Sequence, residues 1–237
     1  MTICKHRWEK SDIHGYNRCK DCGTYTLINA PDTGIYKADY WSHDHNRSTL
    51  EEQFNNLNWE YNDVSKADKV MSFVGGGNKA LEIGCAPGNI LQKLADTHTM
   101  AYGIEVDAKN LPEIKRITNR DNTRLWEGFF PYDFFGLRDG VFDTVIAMDV
   151  LEHVDDPEWF VSRCADIMSG TGTLVVMTPI LQPGVDMPVR MWNTEEHTWV
   201  FSLEHIMQIF TKFFSVVETD SWHPGHEIIV GKNKRQK

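Results

Sequence analysis

The stretch that most constrains this chain runs from Leu81 to Leu91, Leu-Glu-Ile-Gly-Cys-Ala-Pro-Gly-Asn-Ile-Leu. An apolar run, Ala80 to Ile83, stops at Gly84, and an amphipathic segment follows from Asn89 to Ala95. That order predicts a buried strand, a tight turn and a helix start. Glycine at 84 and 88 lets the backbone turn sharply and approach a ligand with no Cβ in the way. The next apolar run, Met100 to Val106, carries Glu105 near its end. Its carboxylate falls about 20 residues past the first glycine, where a nucleotide site places an acceptor for ribose hydroxyls. The turn alone fits any β-turn-α corner. The paired acid is what points to a nucleoside ligand.

From residue 79 onward strands and helices alternate. Strands are predicted over 79–83, 101–106, 123–126, 142–148, 173–178, 214–219 and 227–231, with helices at about 89–96, 108–119, 157–168 and 203–212. Such alternation predicts an α/β fold, a doubly wound, Rossmann-like and mainly parallel sheet of seven strands. The last two strands flank His223-Pro224-Gly225, so they are expected to close as an antiparallel hairpin.

Residues 1–30 read as a separate small module. Cys4-Lys5-His6 and Cys19-Lys20-Asp21-Cys22-Gly23 offer two pairs of soft ligands. In a Cys-x-x-Cys-Gly turn both thiolates can face one metal, and so short a segment would draw its folding energy from that metal. Structural Zn2+ on Cys4, His6, Cys19 and Cys22 is the expectation, with His14 as a substitute for His6 and a metal-free extension as the plain alternative. A redox Cys-x-x-Cys is disfavoured, because no strand-before, helix-after context surrounds it.

Residues 31–78 are polar and aromatic and read as a helical cap or linker. The apolar spacing from Leu50 to Val74 suits one or two helices, and Gly75-Gly76-Gly77-Asn78 reads as a plain linker. The Trp and Tyr residues of 36–61 could wall a substrate pocket, although aromatics at helical spacing are more often core. His43 and His45 read as surface histidines rather than a metal site.

The chain has 237 residues and a formal charge of −10, with five cysteines. That charge argues against broad grip on nucleic acid, which rests on Lys and Arg facing phosphates. The basic end, Lys232 to Lys237, reads as a solvated tail. No apolar stretch is long enough to span a bilayer and no apolar leader opens the chain, so a cytoplasmic location is expected. The cysteines are accordingly not read as a disulfide framework, and Cys85 and Cys164 fall in segments that look internal.

With these pieces in place, residues 79–231 resemble the class I S-adenosylmethionine-dependent methyltransferases, in the ubiquinone-biosynthesis-type and sugar-modifying branches, and 79–237 is expected to be the methyltransferase domain. Leu81 to Gly88 resembles the family's first motif, with Ala86 in place of the middle glycine and Glu82 in place of the commoner aspartate. Phe142-Asp143-Thr144-Val145-Ile146-Ala147-Met148-Asp149-Val150-Leu151-Glu152-His153-Val154 resembles its fourth-strand motif, and Gly170 to Pro179 its fifth strand. The Cys-x-x-Cys-Gly module, zinc-ribbon-like, is similar to modules seen ahead of sugar methyltransferases. The resemblance implies donor contacts from Glu82, Gly84, Cys85, Ala86 and Gly88, from Glu105 and Val106, from Gly128 and Phe129, and from Met148, Asp149 and Leu151. At Phe129 the chain departs from the family, which usually has an acid beside the adenine.

Direct displacement at a methyl group relies on positioning, with a base where the acceptor is a hydroxyl or an acidic C–H. His153, after the fourth strand, is the leading candidate, and His197 the second; each could instead serve only to hold its loop or pack the pocket. Glu152 could orient either, and Asp149 is read as fixing the loop. The acceptor is expected to be a small molecule or sugar. A nucleic acid or protein methyltransferase, a non-catalytic zinc- and cofactor-binding module and a nicotinamide dehydrogenase are the alternatives. No flipped-base Asn/Asp-Pro-Pro-Tyr motif is present, and the terminal hairpin disfavours the dehydrogenase.

Overall fold

A computed structural model describes residues 4–29, 49–55, 63–182 and 196–236. In chain order the elements are β1 (Trp8–Lys10), β2 (Tyr16–Cys19), β3 (Tyr25–Leu27), α1 (Leu50–Phe54), α2 (Asp63–Met71), β4 (Gly77–Ile83), α3 (Asn89–Thr97) and β5 (His98–Glu105). Then follow α4 (Leu111–Thr118), β6 (Thr123–Glu127), β7 (Phe142–Met148), α5 (Pro157–Ile167), β8 (Met168–Leu181), β9 (Trp199–Ser202), α6 (Leu203–Phe213), β10 (Phe214–His223) and β11 (His226–Lys234). His43, His45 and most of the aromatic residues of 36–61 lie outside the described residues.

Seven strands form the expected sheet in the order β6-β5-β4-β7-β8-β11-β10. The first five are parallel; β11 runs antiparallel to β8 and closes a hairpin with β10. Both faces are covered, which explains the near-continuous apolar runs. Because successive side chains point to opposite faces, Leu81, Val145, Val176 and Ile229 pack with α5 and α6. Their neighbours Ala80, Ile146, Val175 and Ile228 pack with α2, α3 and α4. Truncating a fully buried side chain here, such as Leu81 or Phe160, to alanine would cost about 2–5 kcal/mol. Cys85 and Cys164 are fully buried, as their surroundings in the sequence suggest.

Local chemistry sets the helix starts. Asp156 and Ser202 cap α5 and α6 by accepting from the N–H groups of Trp159 and His205. The glycine linker is more constrained than a plain linker: β4 begins within it, and Asp143 accepts from the N–H groups of Asn78 and Lys79. A Cβ on Gly77 would lie 2.9 Å from the Asp143 side chain. The basic end is likewise tied down, with Lys234 donating to the Asp166 carbonyl and Arg235 to those of Thr211 and Phe214.

The N-terminal strands extend the sheet. β1, β2 and β3 form an antiparallel meander, β3 pairs with β9, and β9 pairs in parallel with Ile180 and Leu181 at the far end of β8. β9 went unread in the sequence because its four residues, Trp-Val-Phe-Ser, are too short for a period to register. Among the described residues no helix is long and apolar enough to cross a membrane.

Candidate active site

The parallel register brings the carboxyl ends of β4, β5 and β7 to one level, since Ile83 is opposite both Ile104 and Ala147. One residue further on, the chain opens into a cavity of about 350 Å³. Gly84 leaves β4 with φ 71°, and Gly88 enters α3 with φ 110°, a conformation that side chains other than glycine resist. At Gly88 a Cβ would also meet Thr118 at 2.8 Å. Glu82, Gly84, Ala86, Gly88, Glu105, Val106, Gly128, Phe129, Met148 and Asp149 all line the cavity. Two of the expected contacts do not. Cys85 and Leu151 are fully buried in the core clusters on the two faces of the sheet, and the Cys85 N–H is used by the Ile104 carbonyl.

Glu105 is the pivot of the cavity. Its carboxylate accepts from the N–H groups of Ala86 (3.2 Å), Val106 (3.0 Å) and Asp107 (3.2 Å), joining the glycine loop to the end of β5. Burial pushes this carboxyl above its ordinary range, and the three backbone donors oppose the shift. An ionised carboxylate has about four lone-pair sites, so with three in use one remains, on Oε2, for a hydroxyl donor.

The opposite wall carries charge and imidazole. Asp149, held at φ 53°, pairs with Lys66 of α2 at 3.1 Å and lies 4.0 Å from His226 Nε2. Burial raises the Asp149 carboxyl, but Lys66, with a smaller contribution from His226, outweighs it and holds the group low. Glu82, Glu105 and Asp149 face a single lysine among the lining residues, a balance that suits a cationic ligand. Beside them His153 donates its Nδ1–H to the Glu196 carbonyl at 2.9 Å, which leaves the lone pair on Nε2. Burial lowers its pKa and keeps it neutral. The His197 ring lies 4.9 Å from that of His153, and Glu152, His153 and His197 bring ligand-type atoms within 4.8 Å of one another. Glu152 is 1% exposed, accepts from Thr178 Oγ1 at 3.0 Å and is pushed up by burial to about 8.

A family model described as a methyltransferase domain matches residues 43–218, well over half of the chain. The chain belongs to the methyltransferase-domain family. Among similar proteins, a ubiquinone biosynthesis O-methyltransferase of Rhodopseudomonas palustris is 32% identical over 102 residues, 43% of this chain and 40% of that protein. The corresponding protein of Thiobacillus denitrificans is 29% identical over 104 residues, 43% and 44%. The matched segment thus spans less than half the length of these relatives. The fold is similar to that of the N-methyltransferase NodS of Bradyrhizobium japonicum in complex with S-adenosyl-L-homocysteine, with a TM-score of 0.55 and 18% identity. That alignment covers 78% of this chain and 96% of NodS. The cyclase SpnF is also similar in fold, with a TM-score of 0.59 and 15% identity over 74% of this chain and 82% of its own, so fold alone does not define a reaction.

At the other end of the sheet, Cys4, His6, Cys19 and Cys22 bring four ligand atoms within 4.8 Å of one another, and His14 is not among them. Cys4 and Cys19 Sγ are 3.6 Å apart, as are Cys22 Sγ and His6 Nδ1. A tetrahedral site with metal–sulfur bonds of about 2.3 Å places sulfurs about 3.8 Å apart, so this donor set fits zinc. Burial pushes the Cys19 thiol up, but backbone N–H donors and His6 overcome it and hold the thiol at about 6. The Cys22 thiol is also held low, His6 and the Thr24 backbone N–H outweighing its burial.

Several residues that shape the methyltransferase site had no local signal. Gln53 of α1 and Lys66 of α2 line the cavity, and Asn89 ties α1 to α3 by donating to the Phe54 carbonyl. Tyr16 of β2 donates its hydroxyl to the His197 carbonyl at 2.9 Å, and Trp199 donates to the Val154 carbonyl. The N-terminal strands therefore hold the backbone of the histidine wall. Helices ahead of the first strand were readable as a cover for the cleft; the partners of Tyr16 were not.

Proposed function

We propose that the protein transfers the methyl group of S-adenosylmethionine to a small-molecule or sugar-type acceptor. The observation that carries this reading is Glu105. Its carboxylate closes one side of a cavity whose other side presents Asp149 and His153. The donor would lie with a ribose hydroxyl on Glu105, its adenine against Gly128 and Phe129, and its amino-acid end by Glu82 and the loop from Gly84 to Gly88. When bound, it supplies an activated methyl group on a cationic sulfur. Asp149, kept ionised by Lys66, offsets that positive charge from the wall of the cavity. His153 Nε2, with its lone pair in the cavity, would take the proton of the acceptor as the methyl group is transferred to it from sulfur. Nδ1 stays protonated and hydrogen-bonded to Glu196, so the resulting imidazolium is held in place. His197 packs against this ring and is the second group able to accept the proton.

The relatives named O-methyltransferases support a small-molecule hydroxyl acceptor, and the charge of −10 argues against nucleic acid. Zinc on Cys4, His6, Cys19 and Cys22 would be structural, because all four ligands come from the protein and the site keeps no open position. Residues 1–30 would then form a zinc module, 31–78 a cap over the cleft, and 79–237 the catalytic domain. Calorimetry tests the donor: heat with S-adenosylmethionine and none with NAD is expected, and the reverse would overturn the proposal. Incubating the protein and metabolite pools with methyl-labelled donor would then identify the acceptor from its product.

A further inference from the structure

His205 does not line the cavity, yet with Gln208, which accepts from the Cys4 N–H at 2.9 Å, it joins the Cys/His cluster to α6. It lies in the first turn of α6, is 3% exposed, and turns its ring edge-on to that of His6, with centroids 4.4 Å apart at 83°. The two Nε2 atoms are 3.2 Å apart. Two imidazole nitrogens at that distance require one to carry the hydrogen and the other the lone pair.

The ligand geometry decides which. His6 presents Nδ1 to Cys22 Sγ, on the side of the three sulfurs, so a metal takes the Nδ1 lone pair. The His6 hydrogen is then on Nε2, and His205 Nε2 accepts it. His205 in turn carries its hydrogen on Nδ1, 3.2 Å from Thr24 Oγ1. Thr24 is fully buried; with its oxygen accepting from His205, and from the Ser202 N–H at 3.1 Å, its hydroxyl hydrogen is left for Ser202 Oγ, 3.2 Å away. Ser202 is the cap of α6 and accepts the His205 N–H. With a metal on His6 Nδ1, the relay runs in this direction only. In the opposite direction His205 would donate to His6, and the His6 hydrogen would occupy the nitrogen that faces the sulfurs. Trp8 stacks on the His6 ring at 4.6 Å and 14°, which restrains the ring from swinging away.

We propose that His205 is the positioning residue of the metal centre. It fixes His6 as an Nδ1 ligand and joins the centre, through Thr24 and Ser202, to the start of α6. The proposal rests on the zinc reading above. Outer partners of this kind affect metal affinity about 10- to 100-fold.

The test uses the full-length protein and zinc titrated against a chromophoric chelator, with circular dichroism to verify folding. His205→Phe is expected to weaken zinc binding about 10- to 100-fold. His205→Gln, whose amide oxygen can accept the same hydrogen bond, should recover most of that loss. Nitrogen NMR of zinc-loaded wild type should show His6 protonated at Nε2. Wild-type affinity in folded His205→Phe would overturn the proposal while leaving the zinc site standing. A wild-type protein that binds no zinc would overturn both. If His205→Phe does not fold, Thr24→Val decides: it leaves the ring in place but removes the Nδ1 acceptor, and unchanged zinc affinity there also overturns the relay.

Discussion

The donor cavity and the Cys/His cluster are both built on strand ends of this protein, but they are held in different ways. The cavity stands on three parallel strands buried on both faces, and its Glu105 is fixed by backbone N–H groups from its own strand end and the adjoining loop. The cluster sits on strands of three and four residues whose apolar core, among the described residues, is Tyr16 and Leu27 packed on Val200 of β9 with a few half-buried neighbours. The cavity can therefore exist before its ligand arrives. The N-terminal strands hold their shape by leaning on β9 and α6 and, in our proposal, through a metal. Stability that comes from a core survives the loss of one polar contact; stability that comes from ligation does not.

The largest expected effect would break the second half of that comparison. Cys19→Ser with Cys22→Ser should abolish metal binding, with zinc content by elemental analysis falling from about one per chain to none. It should also expose the first 29 residues to protease while the central sheet stays intact. Digestion of the whole domain at the same rate would mean that the two regions are not independent. Next, His153→Ala should reduce methyl transfer to an identified acceptor by about 10² to 10⁴ and leave donor affinity unchanged. Unaltered turnover would remove His153 as the base and shift attention to His197. Glu105→Ala should weaken S-adenosylmethionine binding by about 1.5–3 kcal/mol, read by calorimetry, through lost hydrogen bonds to a charged group.

The pH dependence sharpens the cavity side. The Glu152 carboxyl is raised to about 8 in the folded protein, so its neutral form is the favoured one. Its contribution to stability is then fully present below the ordinary carboxyl pKa and is lost as pH rises through about 8. Denaturant unfolding should show that fall between about pH 4.5 and 8, and Glu152→Gln should flatten it. A wild-type slope retained in the variant would assign the fall to another group. The smallest effect expected is from Tyr16→Phe, about 1 kcal/mol for one hydrogen bond to the His197 carbonyl.

Much of the fold could be read along the chain because its signals are local. Every strand and helix expected after residue 79 is present, with ends differing by a few residues. The largest differences are at β8, which already starts at Met168 and runs on to Leu181 to take up β9, and at β10, which runs on to His223 opposite His226; α4 starts only at Leu111 after a turn at Ala108–Asn110. Those are ends set by pairing and capping, which a hydrophobic period does not record. In the cavity, ten of the twelve expected donor contacts line the wall. Cys85 and Leu151 are exceptions because neighbours along a loop or strand face opposite ways, and a motif names positions without saying which way each side chain points.

By itself, the sequence determined the sheet, the glycine corner and the acid at the end of the next strand, because period, turn chemistry and spacing act over a few residues. It also set the two pairs of soft ligands near the start. Only the tertiary structure decided what these are joined to. It brought Lys66 onto Asp149, His197 against His153, Tyr16 onto the His197 carbonyl and His205 onto His6. Those partners are separated by 44 to 199 residues, and only the packing of strands and helices from distant parts of the chain places their atoms within reach.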